Sequence, residues 1–136
     1  MAQTDPDRAA EAVLREIVFG KDGLVPAVAQ QHDTGEVLMV AWMNHDAIIE
    51  TLKAGQAVYW SRSRKRLWRK GESSGQIQTL KELRIDCDGD TILLLVDQKG
   101  VACHTGRHNC FFRALKGDKL VTIADVEVDP AKLYGN

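Results

Sequence analysis

Apolar residues recur along this chain with two different periods. Ala10, Val13, Leu14, Ile17 and Val18 follow a helical repeat, which predicts a short helix over 7–18. Pro26 to Gln31 and Val37 to Met43 are apolar runs of strand length. The turn residues His32-Asp33-Thr34-Gly35 lie between them, so the two runs predict a hairpin. Asn44 is a good N-cap and Gly55 a good stop, which places a second helix over 45–54. Ala57 to Ser61 is strand-like. Residues 62–77 then lose all periodicity and read as one long loop, and a loop of that length in a small domain usually carries function. Strand patterns resume at 78–87, 91–97, 110–115 and 119–128, with tight turns at Asp88-Gly89-Asp90 and Lys99-Gly100. No repeat, low-complexity tract or linker interrupts the pattern. The expected architecture is one α+β domain over 1–136, with a mainly antiparallel sheet and short helices.

Composition narrows the class. Of 136 residues, 44% are hydrophobic and 27% charged, which is a globular balance. The net charge of -1 makes the molecule as a whole a poor electrostatic partner for nucleic acid or membrane. The first twenty residues hold no apolar core of signal-peptide length, and no stretch approaches the roughly 20 apolar residues of a membrane span. A cytoplasmic location is expected. There a reducing environment disfavours disulfides, so the three cysteines are buried apolar residues, reactive thiols or metal ligands.

The cysteines are spaced Cys87-x15-Cys103-x6-Cys110. Three thiolates and an open position would suit a catalytic zinc. The spacing alone does not exclude buried structural cysteines, because it contains no Cys-x-x-Cys knuckle. Around the first cysteine runs Asp86-Cys87-Asp88-Gly89-Asp90. In an extended chain Asp86 and Asp88 would share a face opposite Cys87, with Asp90 continuing the period. Crowded carboxylates repel unless neutralised, and oxygen ligands suit Mg²⁺. A solvated turn fits the same residues. An EF-hand does not: counting from Asp86, the sixth position is Thr91 and the twelfth is Asp97. Between the other two cysteines lie His104 and His108. His104 adjoins a proposed ligand and reads as a fourth ligand or a proton shuttle.

Six basic residues fall between 62 and 70, flanked by Trp60, Trp68 and a Ser/Gly-rich tail. Such a loop can grip phosphate while the tryptophans stack on a base. A solvated basic face or an RNA-binding patch has the same composition.

Together these stretches resemble the phosphoribosyl-AMP cyclohydrolases of histidine biosynthesis. The residues that carry the resemblance are GLVPAVAQ (23–30), TGEVLMVAWMN (34–44), YWSRSRKRLWRKGESSG (59–75), DCDGDTILLLV (86–96) and ACHTGRHNCF (102–111), a motif-bearing core over about 20–113. The resemblance implies zinc on Cys87, Cys103 and Cys110, one ion per subunit, shared across a homodimer. It implies Mg²⁺ on Asp86, Asp88 and Asp90. Arg62, Ser63, Arg64, Trp68, Lys70, Glu72 and Ser74 are the expected contacts to a substrate carrying two phosphates, and His104 is the expected base or proton shuttle. Val101 departs from a frequent family proline, and His108-Asn109 from a usual Arg-Ser. Many relatives carry a second, pyrophosphohydrolase domain; this chain stops at Asn136, so only the cyclohydrolase step is expected. One rival, a zinc deaminase-type hydrolase, should show His-x-Glu and Pro-Cys-x-x-Cys, and neither occurs here. A second, a zinc-stabilised RNA-binding module, would need a closed four-ligand zinc.

Overall fold

Helix formation follows the caps. In this computed structural model, which describes residues 5–134, the Asp5 side chain accepts a hydrogen bond from the Asp7 amide, and Pro6 opens α1 (Pro6–Glu16). The helix ends before its apolar period does. Ile17 is already extended and buried, and Val18 donates its amide to the Gly89 carbonyl. In α2 (His45–Ala54) the Asn44 side chain accepts from the Ala47 amide at 2.8 Å, and Gly55 takes the left-handed conformation at φ 68°. Both ends fall where the sequence places them. No helix among the described residues is long and apolar enough to cross a membrane.

Strands β1 (Val25–Gln31) and β2 (Val37–Met43) form the expected antiparallel hairpin. Strands β5 (Gln78–Ile85) and β6 (Ile92–Gln98) form another. The two hairpins join through β1 and β6, which run parallel, giving the order β2-β1-β6-β5. The sheet is therefore mixed at its centre and antiparallel towards its edges. Alternation explains why β1 and β6 are central. Val25, Ala27 and Ala29 on β1, and Ile92, Leu94 and Val96 on β6, are essentially fully buried. They share one core with Leu38, Met43, Tyr59 and the α2 residues Ala47 and Ile48.

The basic segment 62–77 is not the featureless loop its composition suggests. It contains β4 (Arg66–Arg69), paired antiparallel with β3 (Val58–Ser61) across a turn in which Lys65 adopts φ 54°. The alternation was hidden because in β4 only Leu67 and Trp68 are even half-buried while Arg66 and Arg69 at its ends are exposed, so charged residues occupy strand positions. Towards the C-terminus, β7 (Arg113–Lys116) and β8 (Lys119–Thr122) are shorter than their apolar runs. Cys110 instead donates its amide to Leu38 of β2, and residues 127–128 bond to Gly106. A short α3 (Pro130–Tyr134), unforeseen from sequence, starts at Asp129, whose side chain accepts from the Ala131 amide, and buries Leu133.

A chain of buried amides crosses the base of this structure. The Tyr59 hydroxyl donates to Gln78 at 2.6 Å, and Gln78 donates to the Gln98 side-chain oxygen at 2.9 Å. Gln98 in turn donates to the carbonyls of Gln76 and Lys99, while its amide donates to the Gln31 side chain. Replacing Gln98 with Met keeps the length and the main-chain bond to Gln31 but strands the Gln78 side-chain amide and the Gln76 and Lys99 carbonyls. Each orphaned buried group costs about 1–3 kcal/mol, so Gln98→Met should lose roughly 2–4 kcal/mol of stability, read as a lower urea midpoint at unchanged slope.

Candidate active site

The turn of the β3–β4 ribbon and the segment that follows it enclose a cleft of about 480 Å³. Ser63, Arg64, Trp68, Lys70, Glu72 and Ser74 line it, together with His104 from the loop that holds Cys103. The seventh expected substrate contact, Arg62, faces elsewhere. Its guanidinium lies 4.7 Å from the centre of the Trp42 ring, in a neighbouring groove that Trp60 also lines.

Local bonding shapes the cleft. Ser61 Oγ accepts from the Arg64 amide at 3.2 Å and tightens the turn. Trp68 leans on buried Tyr59 with ring centroids 5.2 Å apart, which fixes the indole where it borders the cleft. Gly71, at φ +87°, lets the chain fold back on itself; a Cβ there would sit 2.6 Å from the Ile77 amide nitrogen. Glu72 pairs with Arg66 at 3.6 Å, and Arg69 with Glu50 at 3.5 Å. Among the described residues no carboxylate lies within ion-pair distance of Arg64. An exposed guanidinium on a cleft wall is suited to an anion.

Beside the cleft, residues 102–110 form a tight loop. Ala102 donates to His108, Cys103 to Arg107, and Gly106 to Cys103. Gly106 has φ +85°, and a Cβ there would strike the Val128 carbonyl, so the C-terminal segment clamps the loop from outside. The two departures from the family pattern gain a physical role here. Val101 keeps an amide that proline lacks and donates it to Gln76 Oε1 at 2.8 Å. His108 and Asn109 both grip Glu36 in the β1–β2 turn, at 2.8 Å and 2.6 Å. Desolvation favours a protonated Glu36, but the hydrogen bonds from Asn109 and His108 outweigh it and hold the carboxyl below its usual range. His108 is thus engaged away from the cleft, while His104 is exposed and borders it.

The loop brings Cys103 and Cys110 together. Cys103 is buried, with its sulfur 3.0 Å from the Thr105 hydroxyl. Cys110 is exposed as a residue, yet protein packed around its thiol pushes it up to about 11, with the charge and hydrogen bond of Cys103 adding to the effect and Lys70 opposing it. Two adjacent thiols that hinder each other's ionisation are a good soft-donor pair for zinc. Cys87 lies elsewhere, exposed in the turn after β5. Among the described residues, the group of three or more His, Cys, Asp or Glu side chains with ligand atoms within 4.8 Å of one another is Asp86, Asp88 and Asp90. Cys87 does not join the other two sulfurs in such a group within one chain.

The aspartates meet for a different reason from strand alternation. Residues 86–91 form a turn, not an extended chain. The Asp86 carboxylate caps it by accepting from the Asp90 and Thr91 amides at 3.0 and 3.3 Å. Gly89, at φ +73°, presses against the end of α1, where a Cβ would fall 2.2 Å from the Glu16 carbonyl. The Asp90 carboxyl is raised by its hydrogen bond with Asp86, by desolvation and by the charges of Asp86 and Asp88. A hard divalent cation would relieve that crowding, so the donor set fits Mg²⁺.

Comparison with known proteins follows the same residues. The phosphoribosyl-AMP cyclohydrolase family model matches residues 39–112, from β2 through the Cys110 loop. A phosphoribosyl-AMP cyclohydrolase of Rhodospirillum centenum is 69% identical over 125 residues, covering 92% of this chain and 94% of its own. Those of Magnetococcus marinus and Paramagnetospirillum magneticum are 62% and 63% identical, each over 90% of this chain and 95% and 93% of their own. The cleft, the thiol pair and the carboxylate turn all lie inside the matched span, and the chain belongs to the phosphoribosyl-AMP cyclohydrolase family.

Proposed function

We propose that this chain hydrolyses the N1–C6 bond of the adenine ring in N1-(5-phosphoribosyl)-AMP, a step of histidine biosynthesis, as a cytoplasmic homodimer with zinc and Mg²⁺. The observation that carries the reading is an anion-suited cleft lined by Ser63, Arg64, Trp68, Glu72 and Ser74 and also by His104. Arg64 and the serines suit a phosphate. The Trp68 ring, fixed by Tyr59 and bordering the cleft, suits the purine. Substitution at N1 leaves C6 electron-poor, so the reaction needs a positioned water and a proton carrier more than a strong acid. His104 takes a proton from the attacking water and returns it to N1 as the C–N bond parts. The C6 carbon keeps the water oxygen and becomes the carboxamide of the product.

Cys103 and Cys110 of one chain, with Cys87 of a second copy, would hold zinc, which when bound supplies a water acidic enough to ionise near neutrality. Asp86, Asp88 and Asp90 would hold Mg²⁺ and offset the negative charge of the substrate phosphates. The separation of Cys87 from the other two sulfurs supports a shared site, since a twofold dimer builds each such site twice.

Four outcomes test this reading. Purified protein supplied with zinc and Mg²⁺ should convert phosphoribosyl-AMP, followed by ultraviolet absorbance. A strong chelator should abolish turnover and zinc should restore it; full activity in metal-free protein refutes the zinc assignment. Co-expressed Cys87→Ala and Cys103→Ala variants, each inactive alone, should recover about a quarter of wild-type activity, because half the dimers are mixed and each mixed dimer holds one intact site. Once mixed dimers are verified, a dead mixture means that each site is built within one chain. Finally, Arg64→Ala should lower kcat/KM by roughly 10- to 100-fold, and Arg62→Ala by less, because Arg62 faces Trp42. Equal kinetics in wild type and Arg64→Ala would return the ribbon to a solvated face.

A further inference from the structure

Lys70 does not sit as a phosphate-binding lysine would. It is 7% exposed, among the few charged or polar side chains buried in the molecule. Its ammonium donates to the Ala102 carbonyl at 2.5 Å, one residue before Cys103. The same ammonium lies 5.8 Å from the centre of the Trp68 ring. The backbone on either side is fixed as well: the Lys70 amide donates to Ala57 at 3.0 Å, and Gly71 packs directly on Gln76 and Ile77. A flexible side chain reaching for substrate needs none of this. Arg64, exposed in the same cleft, is placed for that task.

Burying a lysine is expensive unless an opposite charge compensates. Among the described residues no carboxylate lies within ion-pair distance of Lys70. Its bond to Ala102 holds the ammonium one residue from Cys103, and the acidic groups whose charge acts on it are the Cys110 and Cys103 thiols, against a burial that pulls its pKa down. We infer that Lys70 is a positioning residue of the thiol pair, an internal counter-charge that holds the Cys103 segment in place and favours metal binding by Cys103 and Cys110. This rests on the zinc reading above. The sign follows from charge counting. Three thiolates outweigh one Zn²⁺ by one negative unit, so the loaded site is an anion and a fixed ammonium beside it is favourable. A phosphate contact would make a different prediction, because its loss weakens substrate and leaves the metal alone.

Two variants of the full-length protein separate these roles. Lys70→Met removes charge and donor at nearly constant length, and Lys70→Gln keeps a donor without charge. For each, zinc affinity is measured by competition with a chromophoric chelator. The zinc-dependent rise in melting temperature, and kcat and KM at saturating zinc, complete the set. Both variants should bind zinc roughly 10- to 100-fold more weakly, as for other groups that support metal ligands. The zinc-dependent rise in melting temperature should shrink with it, and kcat should fall more than KM rises. Wild-type zinc affinity with a raised KM makes Lys70 a substrate contact and overturns the inference. A lower melting temperature of the metal-free protein with an unchanged zinc-dependent rise makes its role purely structural, and also overturns it. If Lys70→Met does not fold, Lys70→Gln carries the same readouts. A wild-type chain that binds no zinc refutes the metal reading itself, and this inference falls with it.

Discussion

The buried amide chain through Tyr59, Gln78, Gln98 and Gln76 is the constraint on which the site rests. Buried polar groups must be paired, and here each partner comes from a different element: β3, β5, β6 and the segment after the ribbon. Satisfying Gln98 fixes where β6 ends. Satisfying Gln76 fixes Val101, and with it the start of the Cys103 loop. An apolar core of equal volume would hold the sheet together, but it would not specify the position of that loop to within a hydrogen bond.

Charge is segregated around this frame. Acidic groups gather in the turn after β5, where three exposed carboxylates crowd one another. Basic groups gather on the β3–β4 ribbon, partly offset by Glu72 and Glu50 and partly left facing the cleft. Lys70 stands between the ribbon and the cysteine loop, with its charge turned inward. A near-neutral chain thus carries two strong local fields, which suits a phosphorylated substrate and a divalent cation better than a polyanion.

The two positions where this chain departs from the expected family residues tie down the same loop. Where proline would stiffen the chain, Val101 adds a hydrogen bond to Gln76. Where Arg-Ser is usual, His108 and Asn109 seize the two oxygens of Glu36 and tie the cysteine loop to the β1–β2 turn. Cys110 is held from the same side through its amide to Leu38. The loop is thereby anchored to both hairpins of the main sheet.

Local chemistry made much of this protein legible in its sequence. Asn44 and Gly55 mark both ends of α2 because caps are satisfied within a few residues. The β1–β2 hairpin follows from alternation and a short turn. The cysteines, the aspartates and the Ser-Arg-rich stretch were visible as candidate chemistry, because residue type and spacing are one-dimensional facts. What tertiary structure decided concerns partners distant in sequence. The parallel pairing of β1 with β6 joins segments some sixty residues apart, and no local pattern encodes it. The strand in the basic ribbon was masked because neither face is fully buried. Arg62 and Arg64 look alike in sequence; one lies over Trp42, and the other lines the cleft. Lys70 reads as one more basic residue of a basic loop until the Ala102 carbonyl, thirty-two residues away, claims its ammonium. Sequence determined which groups were present and which turns they could make. Burial, which only the folded chain creates, decided which charges face water and which face each other.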